Sequence, residues 1–112
     1  MVVKRITFPT QLEKIEDIDN DNIDVFVELD DGYIYTVVVA TYKNILTQMD
    51  EMKSDFLEAG CPFIIVKKLT KEVIEQAIKS FAKDDAYWLK LHHLSTEFDI
   101  STLNTLRDKL TE

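Results

Sequence analysis

Four carboxylates near the N-terminus have the spacing of a calcium loop. Asp17, Asp19, Asp21 and Glu28 fall on the first, third, fifth and twelfth positions of an EF-hand pattern, where hard oxygen ligands gather around the ion. The remaining positions argue against that use. Asn22 stands where the loop needs glycine, Asp24 stands where it needs an apolar residue, and a strand pattern follows where a helix is required. A solvated acidic loop is the simpler reading. His92 and His93 are adjacent, so on a helix they diverge by about 100° and cannot easily share one ion. No His-x-x-x-His spacing accompanies them. Cys61 follows Gly60 at the expected C-terminal end of a helix, where the dipole disfavours a thiolate, so a structural thiol is expected. Asp84-Asp85 has the form of a paired carboxylate, but helix capping explains it more simply. Only two glycines occur, Gly32 and Gly60, which leaves no phosphate-cradling loop. These residues give no catalytic constellation, and a non-enzymatic protein with no cofactor and no metal is expected.

The element that must position everything else is IDVFVELDDGYIYTVVVA, Ile23 to Ala40. Two β-rich runs flank Asp31-Gly32, and Asp-Gly favours a tight type I′ hairpin turn because both central residues need positive φ. A two-residue turn would pair Asp30 with Tyr33, Leu29 with Ile34, Val27 with Thr36, Val25 with Val38 and Ile23 with Ala40. These pairs form a nearly continuous apolar face, the expected core. The other face pairs Asp24 with Val39, Phe26 with Val37 and Glu28 with Tyr35. It is an apolar island among acids, either partly covered by a terminal segment or open for binding.

Around the hairpin, Val2 to Phe8 reads as a short edge strand ended by Pro9. Thr10 to Ile18 suits a short helix with a capping-box start, or an extended segment. Thr41 caps a helix whose stripe runs through Ile45, Met49, Met52 and Phe56 to a stop at Gly60. The apolar run Phe63 to Val66, ending in Lys67-Lys68, reads as a buried strand over 63–68. It should lie parallel to a hairpin strand, because a helix separates them. Thr70 caps a helix with Val73, Ile74, Ala77, Ile78 and Phe81 on one face. Asp84-Asp85 can start a further helix through Tyr87, Trp88, Leu91 and Leu94, although YWLKL also suits a strand. Trp88 is expected in the core. Ile100, Leu103, Leu106 and Leu110 form a last amphipathic stripe capped at Asp99. The fold class is therefore α+β: a small mixed sheet built on the antiparallel hairpin 23–29 and 33–40 plus strand 63–68, packed with three to four helices. Residues 1–112 read as a single domain, with strand order left open.

A chain of 112 residues buries roughly two-thirds of its unfolded surface, enough for one core. One cysteine excludes an internal disulfide and suits a reducing, cytoplasmic location. MVVKRITFPTQL lacks the long apolar stretch of a secretion signal, and no run of about 18 apolar residues suggests a membrane span. The net charge of −8 is gathered in one place. Between Ile15 and Tyr42 there is no lysine or arginine, but there are Glu16, Asp17, Asp19, Asp21, Asp24, Glu28, Asp30 and Asp31. The rest of the chain balances 13 acids against 13 bases. Such a field repels nucleic acid and anionic membranes and steers basic proteins inward. Ordinary solubility charge is the alternative.

Three stretches, DVFVELDDGYIYTVVVAT (Asp24 to Thr41), PFIIVKKLTKE (Pro62 to Glu72) and AYWLKL (Ala86 to Leu91), resemble a group of short uncharacterised bacterial proteins. Some of these accompany secreted or contact-delivered toxins as immunity proteins. The resemblance covers about half of the chain and lies in sheet and packing segments, so it carries over no functional residue. It implies a protein that binds and neutralises a toxin, and the gathered acids point to a basic one. The residues expected to carry such binding are Asp19, Asp21, Asp24, Glu28, Asp30 and Asp31, with Tyr33 and Tyr35 as aromatic anchors. The rival expectation is a self-associating protein that forms a homodimer through the exposed hairpin face; monomer and homodimer both stay open.

Overall fold

The computed structural model describes residues 1–60 and 62–97. Cys61, the amphipathic stripe at Ile100 to Leu110 and its cap at Asp99 lie outside the described residues. Four strands form one mixed sheet in the order β1-β2-β3-β4: β1 (Val3–Thr7), β2 (Asn22–Leu29), β3 (Ile34–Thr41) and β4 (Phe63–Val66). The first three are antiparallel neighbours, and β4 runs parallel to β3. Among the described residues three helices accompany the sheet: α1 (Tyr42–Met52), α2 (Lys71–Phe81) and α3 (Lys83–Glu97). The segment Thr10 to Ile18 forms only a single 3-10 turn at Leu12–Lys14 and is otherwise extended or bent.

The hairpin forms where Asp31-Gly32 predicts it, but its register differs by one residue from the two-residue-turn expectation. The loop holds three residues, Asp30, Asp31 and Gly32. The Gly32 N–H donates to the Leu29 carbonyl at 3.1 Å, and the Leu29 N–H donates to the Tyr33 carbonyl at 3.2 Å. Only Gly32 takes positive φ (85°). Asp31 stays out of the left-handed region and uses its carboxylate to accept the Tyr33 N–H at 3.0 Å. A three-residue loop with one left-handed glycine is the next most common hairpin solution.

Val27 consequently pairs with Tyr35, Val25 with Val37 and Ile23 with Val39. The residues of β3 exchange faces relative to the sequence expectation. Val37 and Val39 enter the core with Ile23, Val25, Val27 and Leu29, while Ile34, Thr36 and Val38 face the other way.

The core lies between one face of the sheet and the pair α2–α3. It contains Ile64, Val66, Leu69, Ile74, Ile78, Ala86 and Leu89 besides the hairpin residues, and Leu12, Ile15 and Phe81 pack at its margin. Thr70 caps α2 by accepting the Val73 N–H at 3.3 Å. Thr41 caps α1 in the same way, accepting the Asn44 N–H at 3.2 Å.

Two helix boundaries depart from the sequence reading. The stripe from Ile45 was expected to continue to Gly60, but α1 ends at Met52. Lys53 takes the left-handed conformation (φ 55°) that glycine usually fills, and the Ser54 N–H closes onto the Met49 carbonyl at 2.9 Å. This is a Schellman end built without glycine. Asp84 and Asp85 do not begin a right-handed helix either. Asp84, Asp85 and Ala86 all have positive φ, near 54–60°, and form a left-handed turn inside the start of α3. Each such residue costs roughly 1 kcal/mol or more. The turn is held by the Ala86 N–H, which bonds the Ala82 carbonyl at 3.0 Å, and by complete burial of Ala86.

Candidate protein-binding surface

The helices α2 and α3 cover one face of the sheet, and the other face is largely open. It presents Asp24, Phe26 and Glu28 from β2, Ile34, Thr36 and Val38 from β3, and Phe63 and Ile65 from β4. Phe26 is 38 %, Ile34 61 % and Ile65 58 % exposed, so an apolar band runs from the hairpin end to β4. Asp24 is exposed and Glu28 half-buried beside that band, and Arg5 of β1 stands across from Glu28. The mixed face expected from the sequence therefore exists with altered membership. Ile34, Thr36 and Val38 replace Tyr35, Val37 and Val39.

One end of this face is tied to α1 by a polar network. The side-chain N–H of Asn22 donates to Asn44 Oδ1 at 2.9 Å, and Gln48 Nε2 donates to the same oxygen at 2.6 Å. Asn20 joins through Thr47 Oγ1 at 3.2 Å. The Thr41 N–H donates to the Asp21 carbonyl at 3.1 Å, and Thr41 Oγ1 accepts the Asp21 N–H at 3.3 Å. Beyond the network, Tyr42 and Leu46 of α1 are exposed and extend the apolar surface.

Seven of the eight residues singled out from the sequence are strung along β2 and the loops at its two ends, and Tyr35 lies on β3. Asp19 is exposed in the loop before β2, its N–H held by the Asp17 carboxylate at 3.0 Å. Asp21 is half-buried and turns its carboxylate onto the Asn22 N–H at 2.7 Å. Asp24 and Glu28 share the open face. Asp30 accepts the Val2 N–H at 3.2 Å, so it also fastens the N-terminal strand. Tyr33 is exposed beside the hairpin tip. Tyr35 departs from expectation: the register turns it toward the helix side, where its ring meets His93 edge-on at 5.1 Å. His93 Nδ1 in turn accepts the Thr36 N–H at 3.0 Å. This bond occupies a part of β3 that β4, pairing only from Val38 onward, leaves uncovered.

At the hairpin tip the Tyr35 hydroxyl donates to Asp31 Oδ2 at 2.8 Å. Partial burial, then this bond and the Asp31 charge, push the Tyr35 phenol up to about 12. Asp31 is held below its usual carboxylate value, chiefly by the Tyr33 N–H, with the Tyr35 hydroxyl and the Lys90 charge adding. The raised phenol has a pH consequence. Above the ordinary tyrosine value of 10.0 the unfolded phenol ionises while the folded one keeps its proton, so folding loses stability as pH rises from about 10 toward about 12. Denaturant unfolding of wild type and Tyr35→Phe across that window should show a steeper alkaline loss in wild type. Parallel curves would mean that the Tyr35–Asp31 bond does not persist in solution.

Sequence reasoning missed one exposed group. Trp88, expected in the core, is half exposed with Tyr87 on the outer side of α3, because Ala86 and Leu89 take the inward positions. The near-continuous apolar run AYWLKL contained no signal of which residues would face outward. Among the described residues no set of three or more His, Cys, Asp or Glu side chains is arranged to hold a metal ion, and no helix is long and apolar enough to cross a membrane. No protein-family model matches the chain, nor does any curated protein or solved structure.

Proposed function

We propose that this protein is a non-enzymatic binding domain that takes a basic protein partner on the open face of its sheet. The finer reading is an immunity-type protein that neutralises a basic bacterial toxin in the cytoplasm. The observation that carries it is the exposed band Phe26, Ile34 and Ile65 flanked by Asp24 and Glu28. Apolar anchors with a charged rim are the usual anatomy of a protein interface. The acids at Asp19, Asp21, Asp30 and Asp31 extend the negative field past both ends of that band and favour encounter with positive surfaces.

A homodimer through the same face is the rival. A two-fold interface sets a patch against itself, so Asp24 and Glu28 would meet their own kind in a protein already at −8. A monomer at all concentrations in sedimentation supports the foreign partner, and a concentration-dependent dimer lost in Phe26→Ala supports the rival. The direct test uses basic proteins encoded beside the gene. Phe26→Ala combined with Ile34→Ala should weaken binding by about a hundredfold, the range of two modest anchors. Asp24→Asn with Glu28→Gln should slow association and flatten its salt dependence. Unchanged affinity in both double variants overturns the assignment of this face.

A further inference from the structure

We infer that the outer side of α3 is a second docking surface, one that accepts an arginine side chain of a basic partner. The inference rests on the basic-partner reading above but uses a different part of the molecule. Helix α3 divides its apolar residues between two sides. Ala86 and Leu89 are fully buried, and His93, a turn further on, reaches β3. Tyr87 and Trp88 are 57 % and 51 % exposed, and their rings form an edge-to-face pair with centroids 5.1 Å apart. Leu91 lies three and four residues beyond them and so shares their side of the helix. Exposed tryptophan and tyrosine side by side are the residues most enriched among interface anchors.

Beside this aromatic wall opens a cavity of about 260 Å³ lined by Asp84, Asp85, Tyr87, Lys90 and Leu91. An aromatic wall next to two exposed carboxylates is complementary to a guanidinium. That group is planar and weakly hydrated, stacks on aromatic faces and forks onto carboxylates, whereas an ammonium is a strongly hydrated point charge. Arginine is therefore favoured over lysine. The chain supplies its own competitor: Lys90 Nζ stands 4.0 Å from Asp85 Oδ2. An entering guanidinium has to share or displace that contact. A second copy of this chain is a poor occupant, since it brings a net charge of −8 to an acidic rim.

Trp88 is the only tryptophan and packs edge-on against Tyr87, which lines the cavity, so its fluorescence reports this surface. Titration with a capped triarginine peptide should change the emission and saturate at about tenfold lower concentration than capped trilysine, the range of a desolvated cation–aromatic contact. Asp84→Asn with Asp85→Asn should weaken the triarginine response, and Lys90→Met should tighten it. A silent tryptophan, equal responses to the two peptides, or weaker binding in Lys90→Met overturns the proposal. The two readings fail separately. Sensitivity of partner binding to Phe26 and Ile34 with a silent Trp88 removes only this surface. A responsive Trp88 with an indifferent sheet face removes only the other.

Discussion

Val37→Asp should abolish cooperative folding, and Ile34→Asp, three residues away on the same strand, should leave it intact. Val37 is fully buried in the apolar core with Ile23, Val25 and Val39. Removing a charge from water without a partner costs several kcal/mol even after relaxation. A domain of this size has only about 5–15 kcal/mol in total. Ile34 is mostly exposed on the open face, opposite Glu28. There the substitution loses some strand preference and adds one like-charge neighbour, about 1–2 kcal/mol together. Urea unfolding followed by circular dichroism separates the two outcomes. The pair also tests the register, because a two-residue turn would bury Ile34 and turn Val37 outward. A tolerated Val37→Asp with a lethal Ile34→Asp would mean that the three-residue loop is wrong.

The same strand shows what the sequence could and could not convey. The hairpin was legible because Asp-Gly sits between two β-branched runs, and β2 was legible face by face because Asp24, Phe26 and Glu28 alternate with Ile23, Val25 and Val27. The strand β3 was not. From Ile34 to Ala40 it is apolar or nearly so at both parities, so either register buries a plausible face, and the choice passed to the loop. There Asp31 satisfies the Tyr33 N–H with its carboxylate instead of entering the left-handed region. The parallel placement of β4 followed from the intervening helix, and the cap of α2 from Thr70. The end of α1 was hidden because Lys53 does what glycine was expected to do at Gly60, and the left-handed start of α3 because three residues without glycine take positive φ. For the candidate binding surface, the acidic interval was visible in composition, and so were its three β2 residues, Asp24, Phe26 and Glu28. The exposure of Ile34 and Ile65 on that face depends on register and on β4 standing at the edge, neither of which local pattern determines.

Thr41→Val should cost about 2–4 kcal/mol, although it changes the shape of the side chain hardly at all. The Thr41 hydroxyl is fully buried and accepts two backbone N–H groups, those of Asn44 at 3.2 Å and Asp21 at 3.3 Å. The first is the N-cap of α1, a bond whose loss removes about 0.5–2 kcal/mol. The second leaves a donor at the start of β2 without its acceptor, a further penalty of about 1–3 kcal/mol where water cannot replace it. Thr41→Ser keeps the oxygen and should cost only about 1 kcal/mol for the lost methyl group. The expected signature is a lowered urea midpoint at unchanged slope in Thr41→Val. Faster hydrogen exchange at the Asn44 and Asp21 amides should accompany it. The residue joins the acidic loop, the end of β3 and the first turn of α1 at a single atom. Its removal should therefore loosen Asp21 and the exposed Tyr42 and Leu46 relative to the open face while leaving the core between the sheet and α2–α3 in place. A stability loss confined to the helix cap, with Asp21 exchange unchanged, would show that the second bond carries nothing and that the loop is held by the asparagine network and the Thr41 N–H bond to the Asp21 carbonyl.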